Sequence, residues 1–194
     1  MPLRLRPLAL VNGHRRLAMR VRPYPAGMGT SFVDYRGCGF WTRDAALETI
    51  LGLMVVDLQP LSRSNDALSA VLDWWTLQAT AGFNGCVSPS LDEKLADLSV
   101  RSVVIAGLRR VLAGLPADGL VELADHGFSE RAERVTKGGP WRCPYALATW
   151  VTEVAKALLA LIEGKLPATP DDFWWVDEHG RSKLPRIRRD VNPA

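Results

Sequence analysis

Apolar side chains recur at helical spacing along one stretch near the centre of the first half of the chain. The stripe is formed by Leu47, Ile50, Leu51, Met54, Val55 and Leu58. Steps of three and four residues keep these side chains on one face of a helix. Thr42 is placed to cap the first turn, Asp44 in that turn suits the positive end of the helix dipole, and Pro60 predicts the end. We therefore expect a central core helix on which the rest of the chain packs.

Three further helices are predicted from the same kind of pattern. The second begins near residues 64–66 and has apolar side chains on most of its circumference, which predicts a largely buried helix. The third opens with a capping box, in which Ser90 is the cap and the glutamate three residues later reaches back, and it continues or restarts after Ser99. The fourth has Pro144 in its first turn. Its apolar stripe is Leu147, Val151, Val154, Leu158 and Leu161.

Between the third and fourth helices the pattern is weaker. Residues 120–125 predict a short helix that closes at Gly127. Residues 128–140 are rich in charge, end in glycines and show no period, so we expect an exposed loop there.

Both ends of the chain predict β-hairpins. Asn12-Gly13 is a residue pair that type I′ hairpin turns favour, because both central residues need positive φ. Residues 31–36 predict a further strand. At the other end, an aromatic run, a turn and a basic return segment within residues 171–190 predict a second hairpin.

Together these elements predict an α+β fold that is predominantly α. Four main helices form a bundle-like core, and a small antiparallel sheet is built from the two chain ends. We expect a single domain spanning residues 1–194. It comprises a β-hairpin region at 1–36, a helical core at 40–165 and a hairpin-like segment at 171–190.

Composition indicates a soluble globular protein, since the chain is 47% hydrophobic and 23% charged. Its apolar runs are shorter than a membrane span requires, and its first residues lack the apolar core of a signal peptide. We therefore predict a cytoplasmic protein. Arginine outnumbers lysine by 19 to 5, which we interpret as the signature of a GC-rich bacterial genome.

Charge is distributed unevenly along the chain. Residues 1–36 carry seven arginines against a single acid, Asp34. Residues 181–194 carry four arginines and Lys183 against Asp190, so the segment between these two ends is acidic. Such segregation favours a charged partner. Nucleic acid is one such partner through the basic ends, but we do not favour it, because no base-reading signature accompanies the arginines.

Candidate chemistry is sparse. Cys38, Cys86 and Cys143 are odd in number and lack the paired spacing of a zinc site, so we expect reduced, mostly buried thiols. Cys143 is the best placed of them for reactivity, directly before a predicted helix. The glycines around Cys38 favour a tight turn over a phosphate-binding loop, because the third glycine of such loops is absent. We predict no catalytic, cofactor or metal site.

Seven tryptophans are many for 194 residues, and two pairs are adjacent. Neighbouring side chains on a helix or strand point in different directions, so one member of each pair needs a second core or a partner. Tryptophan and arginine are also the residues that dominate binding hot spots. Trp141 is the best candidate for an exposed anchor. The partner-binding residues we predict are Asp125, Glu130, Trp141 and Trp174.

These observations favour a non-enzymatic protein that acts by binding another protein. By analogy with bacterial proteins of this size, the specific prediction is an inhibitor of a toxin, of the immunity-protein or antitoxin type. The partner would meet the acidic middle of the chain. One alternative is a small enzyme whose site combines Cys143, His126 and acids from distant parts of the chain. A second alternative is an accessory protein associated with nucleic acid.

Overall fold

Twelve helices and strands make up the described part of the fold. The computed structural model describes residues 29–81, 85–123, 126–165, 174–176 and 182–183. In chain order the elements are β1 (Thr30–Tyr35), β2 (Cys38–Arg43), α1 (Asp44–Ser62), α2 (Asp66–Thr80), α3 (Leu91–Lys94), α4 (Leu98–Gly114), β3 (Leu120–Glu122), α5 (His126–Val135), β4 (Tyr145–Leu147), α6 (Ala148–Ile162), β5 (Trp174–Val176) and β6 (Ser182–Lys183).

The described part of the chain is mostly helical, with six helices and two small antiparallel sheets. One sheet has the strand order β1-β2-β5-β6, and the other pairs β3 with β4. The prediction of a mainly helical chain with antiparallel β-structure is confirmed at this level. The hairpin predicted around Asn12-Gly13 lies outside the described residues.

Helix α1 is central, as its apolar stripe predicts. It contacts α2, α4, α5 and α6 as well as β2 and β4. The stripe from Leu47 to Leu58 is buried throughout. By length and composition α1 is also apolar enough to cross a membrane, but 61% of that stretch is buried inside the protein, as in the core helix of a globular fold.

Both ends of α1 differ from the prediction. Thr42 lies in β2, which runs directly into the helix, and Arg43 occupies the cap position without a side-chain cap bond. Pro60 lies inside the helix, which continues to Ser62. A proline removes one intrahelical hydrogen bond, and so close to the end of the helix that loss affects only the terminal turn.

Two helix starts are set by side-chain caps. Asn65 accepts a hydrogen bond from the Leu68 backbone N–H at 2.9 Å, where the second helix was predicted to begin. Asp97 caps α4 through the Ser99 N–H at 2.7 Å. The capping box predicted at Ser90 is wrong, because Ser90 has left-handed backbone angles and makes no cap bond, and α3 is only four residues long.

The region between α4 and α6 is where the prediction fails most. Residues 120–122 form β3 rather than a helix, and they pair with β4 in the register Val121↔Ala146. The segment predicted as a loop contains α5, in which Glu130, Glu133 and Arg134 are exposed while Phe128, Ala132 and the charged Arg131 are buried. Pro144 precedes β4, so it does not open the last helix. Three-residue strands leave little periodic signal. Helix α5 does have Phe128, Ala132 and Val135 at helical spacing, but the many charges between them led to the prediction of a loop.

The glycine pair near Cys38 belongs to a hairpin. Arg36 and Gly37 both have positive φ, 53° and 79°, as a two-residue type I′ turn requires. Tyr35 pairs with Cys38 on either side of it. The interpretation as a tight turn is therefore confirmed, although the turn joins two strands and not a strand to a helix.

Candidate functional site

In the four-stranded sheet, one face of the β1–β2 pair is turned away from the core. Along β1 and β2 the buried residues alternate with half-buried or exposed ones, because successive side chains point to opposite faces of a strand. The outward positions of the two strands are Thr30, Phe32, Asp34, Gly39, Trp41 and Arg43. This alternation exposes aromatic side chains where a sheet of a globular protein commonly carries polar ones.

Phe32 and Trp41 are opposite each other in the ladder, and their ring centroids are 5.3 Å apart at an interplanar angle of 47°. The Phe32 ring also covers Gly39, since a Cβ at that glycine would lie 2.5 Å from its Cζ atom. Phe32 is thereby held against the sheet. Trp41 stays 45% exposed, which is high for so large an apolar side chain.

Arg43 extends this surface toward α6. Its Cζ atom lies 3.9 Å from the centroid of the Trp150 ring, a cation–π contact. We call the surface formed by Phe32, Trp41, Arg43 and Trp150 the aromatic face. Trp174 is opposite Trp41 in the ladder between β2 and β5, which brings one of the predicted partner-binding residues to the same sheet.

The other predicted partner-binding residues lie elsewhere. Glu130 is exposed on α5. Trp141 is half-buried against the core and meets Phe128 edge to face, with centroids 6.1 Å apart, so the prediction that it is an exposed anchor is wrong. Asp125 lies outside the described residues. The residues that sequence reasoning missed are Phe32, Trp41 and Arg43. The strand alternation across residues 30–43 places them on one face of the sheet but does not show which face the core covers.

A polar cluster beneath the sheet has a structural role. Asp44 accepts hydrogen bonds from Ser31 Oγ and from the Gly85 backbone N–H, each at 2.6 Å. Ser31 Oγ in turn accepts from the Val87 N–H at 2.8 Å. These bonds tie the loop before α3 to β1 and to the start of α1.

Glu48 lies one helical turn beyond Asp44 and is also buried. Burial, together with the charge of Asp44, raises the pKa of Glu48 from 4.5 to about 8. Arg142 Nη2 lies 3.4 Å from Glu48 Oε1, but the Arg142 side chain is 44% exposed. Its charge is therefore screened by water, and we expect burial to outweigh this ion pair.

Cys143 and Glu48 both line a cavity of about 100 Å³, which brings a thiol close to a buried acid. The thiol donates to the Leu123 carbonyl oxygen. Although the residue is exposed overall, partial burial of its thiol and the charge of Glu122 raise the pKa of Cys143. This shift favours the thiol over the nucleophilic thiolate.

The cysteines differ from the prediction in burial. Cys38, Cys86 and Cys143 are all free, but only Cys38 is half-buried and the other two are exposed. Within the described residues no group of three or more histidine, cysteine or acidic side chains is placed to hold a metal ion.

Comparison of the chain with protein-family models, with curated proteins and with solved structures gives no match. The geometry of the chain is therefore the basis for a functional proposal.

Proposed function

We propose that this protein acts by binding a protein partner through the aromatic face. The observation that carries the proposal is the exposure of Trp41 beside Phe32 on the outward side of the sheet. An apolar surface that stays in contact with water costs free energy unless a partner covers it. Tryptophan and arginine are enriched at the centres of protein interfaces, and Trp41, Arg43 and Trp150 supply both residue types.

Charge favours a partner whose surface is acidic. Arg43 lies on the aromatic face itself. The basic ends of the chain continue from the same sheet, because β1 begins after residues 1–28, which hold six arginines and no acid, and β6 ends at Lys183. In the antiparallel order β1-β2-β5-β6, the start of β1 and the end of β6 lie at one end of the sheet. Arg43 and the basic composition of the two chain ends favour association with a complementary acidic surface.

This proposal changes the surface predicted from the sequence but keeps the class of function. An inhibitor of a toxin remains the specific form that we propose, because inhibition by occlusion requires a rigid surface and no chemistry. Asp44 and Cys143 each make hydrogen bonds within the fold. Strand β2 is paired on both sides and leads directly into the core helix α1, which favours a well-supported sheet face.

Site-specific photo-cross-linking in cells of the native host tests the proposal. A benzoylphenylalanine replaces Trp41 in one variant and Leu98 in the other. Leu98 is the matched control, because it is a large apolar side chain, 67% exposed, on α4. We expect position 41 to cross-link one protein that position 98 does not, and we expect the purified partner to bind less tightly as salt is raised.

The supporting result also requires that Arg43→Glu weakens binding to the purified partner, since this change reverses a charge on the aromatic face. Cross-linking of position 41 to nucleic acid, or to a second copy of this chain, would contradict the proposal. Equal cross-linking from positions 41 and 98 would contradict it too.

A further inference from the structure

A cavity of about 480 Å³ lies between the end of α1, the first turn of α2 and α5. This volume falls within the range of small-molecule sites. We call it the interhelical pocket. The residues that line it and enter the argument are Gln59, Ser62, Arg63, Asp66, Glu130 and Arg131.

Arg131 forms a fixed cationic wall of the interhelical pocket. The residue is only 5% exposed. Its guanidinium donates to Asp73 Oδ1 at 2.9 Å, to Ser62 Oγ at 3.2 Å and to the Ser69 carbonyl oxygen at 3.3 Å. Burial lowers the pKa of Arg131, yet a guanidinium stays charged at neutral pH.

Two residues that line the pocket each have one covered polar atom with no hydrogen-bond partner among the described residues. One is a donor, the Nε–H of Arg131, and the other is an acceptor, Oε1 of Gln59. Buried polar groups are nearly always paired, so a donor and an acceptor left over at one cavity call for an explanation. A bound molecule that accepts from one and donates to the other would satisfy both.

The rim of the interhelical pocket carries both signs of charge. Arg63 is exposed there and makes no ion pair within the described residues. Asp66 and Glu130 are exposed acceptors on the α2 and α5 sides. The arginines favour an anionic ligand. A simple anion, however, would be repelled by the carboxylates of Asp66 and Glu130 and would leave Gln59 Oε1 without a hydrogen-bond donor. A ligand needs hydroxyl donors as well as an anionic group.

We propose that the interhelical pocket binds a small phosphorylated sugar or polyol. The phosphate accepts hydrogen bonds from Arg63 and from the Nε–H of Arg131, since guanidinium groups match phosphate oxygens in geometry and charge. The hydroxyls donate to Gln59 Oε1 and to the carboxylates of Asp66 and Glu130. Because both unpaired atoms are covered from water, we expect ligand entry to displace the side chains that cover them, while three hydrogen bonds keep the guanidinium of Arg131 in place.

Isothermal titration of the full chain with ribose 5-phosphate, inorganic phosphate and D-ribose tests this inference. We expect ribose 5-phosphate to bind at least tenfold more tightly than either of the other two. Arg63→Ala should weaken its binding at least tenfold, because the phosphate loses a guanidinium. Gln59→Leu should weaken the binding of ribose 5-phosphate but leave the binding of inorganic phosphate unchanged, because only the sugar hydroxyls donate to the Gln59 amide oxygen.

Arg109→Ala is the matched control, since Arg109 is an exposed arginine of α4 that pairs with Glu163 and does not line the pocket. It should leave all three affinities unchanged. Melting temperatures of the variants show that each is folded. The inference is overturned if ribose 5-phosphate does not bind, if inorganic phosphate binds as tightly, or if Arg109→Ala weakens binding as much as Arg63→Ala.

Discussion

Replacing Glu48 by glutamine is expected to stabilise the protein at neutral pH. Glu48 is buried, and its pKa is raised to about 8. Between pH 4.5 and pH 8 the folded protein therefore keeps a proton on this carboxyl that the unfolded chain has already released. Folding has to take up that proton, and the free energy required rises with pH. Glutamine has nearly the same shape and is neutral at every pH, so it removes this requirement.

The magnitude follows from proton linkage. One extra proton bound by the folded state lowers the free energy of unfolding by about 1.4 kcal/mol for each pH unit above the unfolded pKa. The contribution of the neutral Glu48 carboxyl to the free energy of unfolding is thus fully present below pH 4.5 and is lost as pH rises toward 8. At pH 7 the accumulated loss is about 3 kcal/mol, and Glu48→Gln should recover most of it.

Urea denaturation of the wild type and the variant, at several pH values between 4.5 and 8 and at constant ionic strength, measures the effect. The two proteins should have similar stability at pH 4.5 and diverge steadily above it. Glu133→Gln is the matched control, since it removes an exposed glutamate of α5, and it should change stability by less than about 0.5 kcal/mol.

The opposite result would identify an ionised Glu48. If the 3.4 Å contact with Arg142 kept the carboxyl charged, Glu48→Gln would destabilise the protein at pH 7. The difference between variant and wild type would then shrink as pH falls. That outcome would refute the statement that burial outweighs the ion pair.

Three further outcomes are expected from denaturation experiments. Leu72→Ala should lower the free energy of unfolding by about 2–5 kcal/mol, because it leaves a cavity between α2 and its neighbours. Leu98→Ala, at an exposed site, should lower it by less than about 1 kcal/mol. Equal losses in the two variants would contradict the placement of α2 in the core. Gly52→Ala should destabilise by about 1–3 kcal/mol, because the added Cβ would overlap Leu123, and a gain in stability would contradict that packing. Asp97→Asn should destabilise at neutral pH and progressively less in acid, because hydrogen bonds from Ser99 lower the pKa of this cap, and a loss that does not depend on pH would contradict the charge-based account.

The elements that sequence reasoning found are those with local signals. The stripe of α1 needs only its own six side chains to specify a buried face, and the cap at Asn65 acts within three residues. The turn at Gly37 is equally local. Such features are readable without knowledge of the rest of the fold.

The elements it missed depend on distant partners. Strand β3 has three residues and exists because β4, some 25 positions later, pairs with it. Glu48 has the sequence context of an ordinary helix-surface acid, and only the segment around Arg142 and Cys143 that folds over it accounts for its burial. The aromatic face was missed for the same reason, since the alternation of β1 does not reveal which side the core occupies.

The affinity of the purified cross-linked partner for Trp41→Ala, measured beside Leu98→Ala, tests the central claim most directly. If the aromatic face is the binding surface, removing Trp41 should weaken binding at least tenfold, about 1.4 kcal/mol or more, as for a hot-spot residue. Leu98→Ala should bind as the wild type does. Wild-type affinity of a folded Trp41→Ala variant would contradict the account.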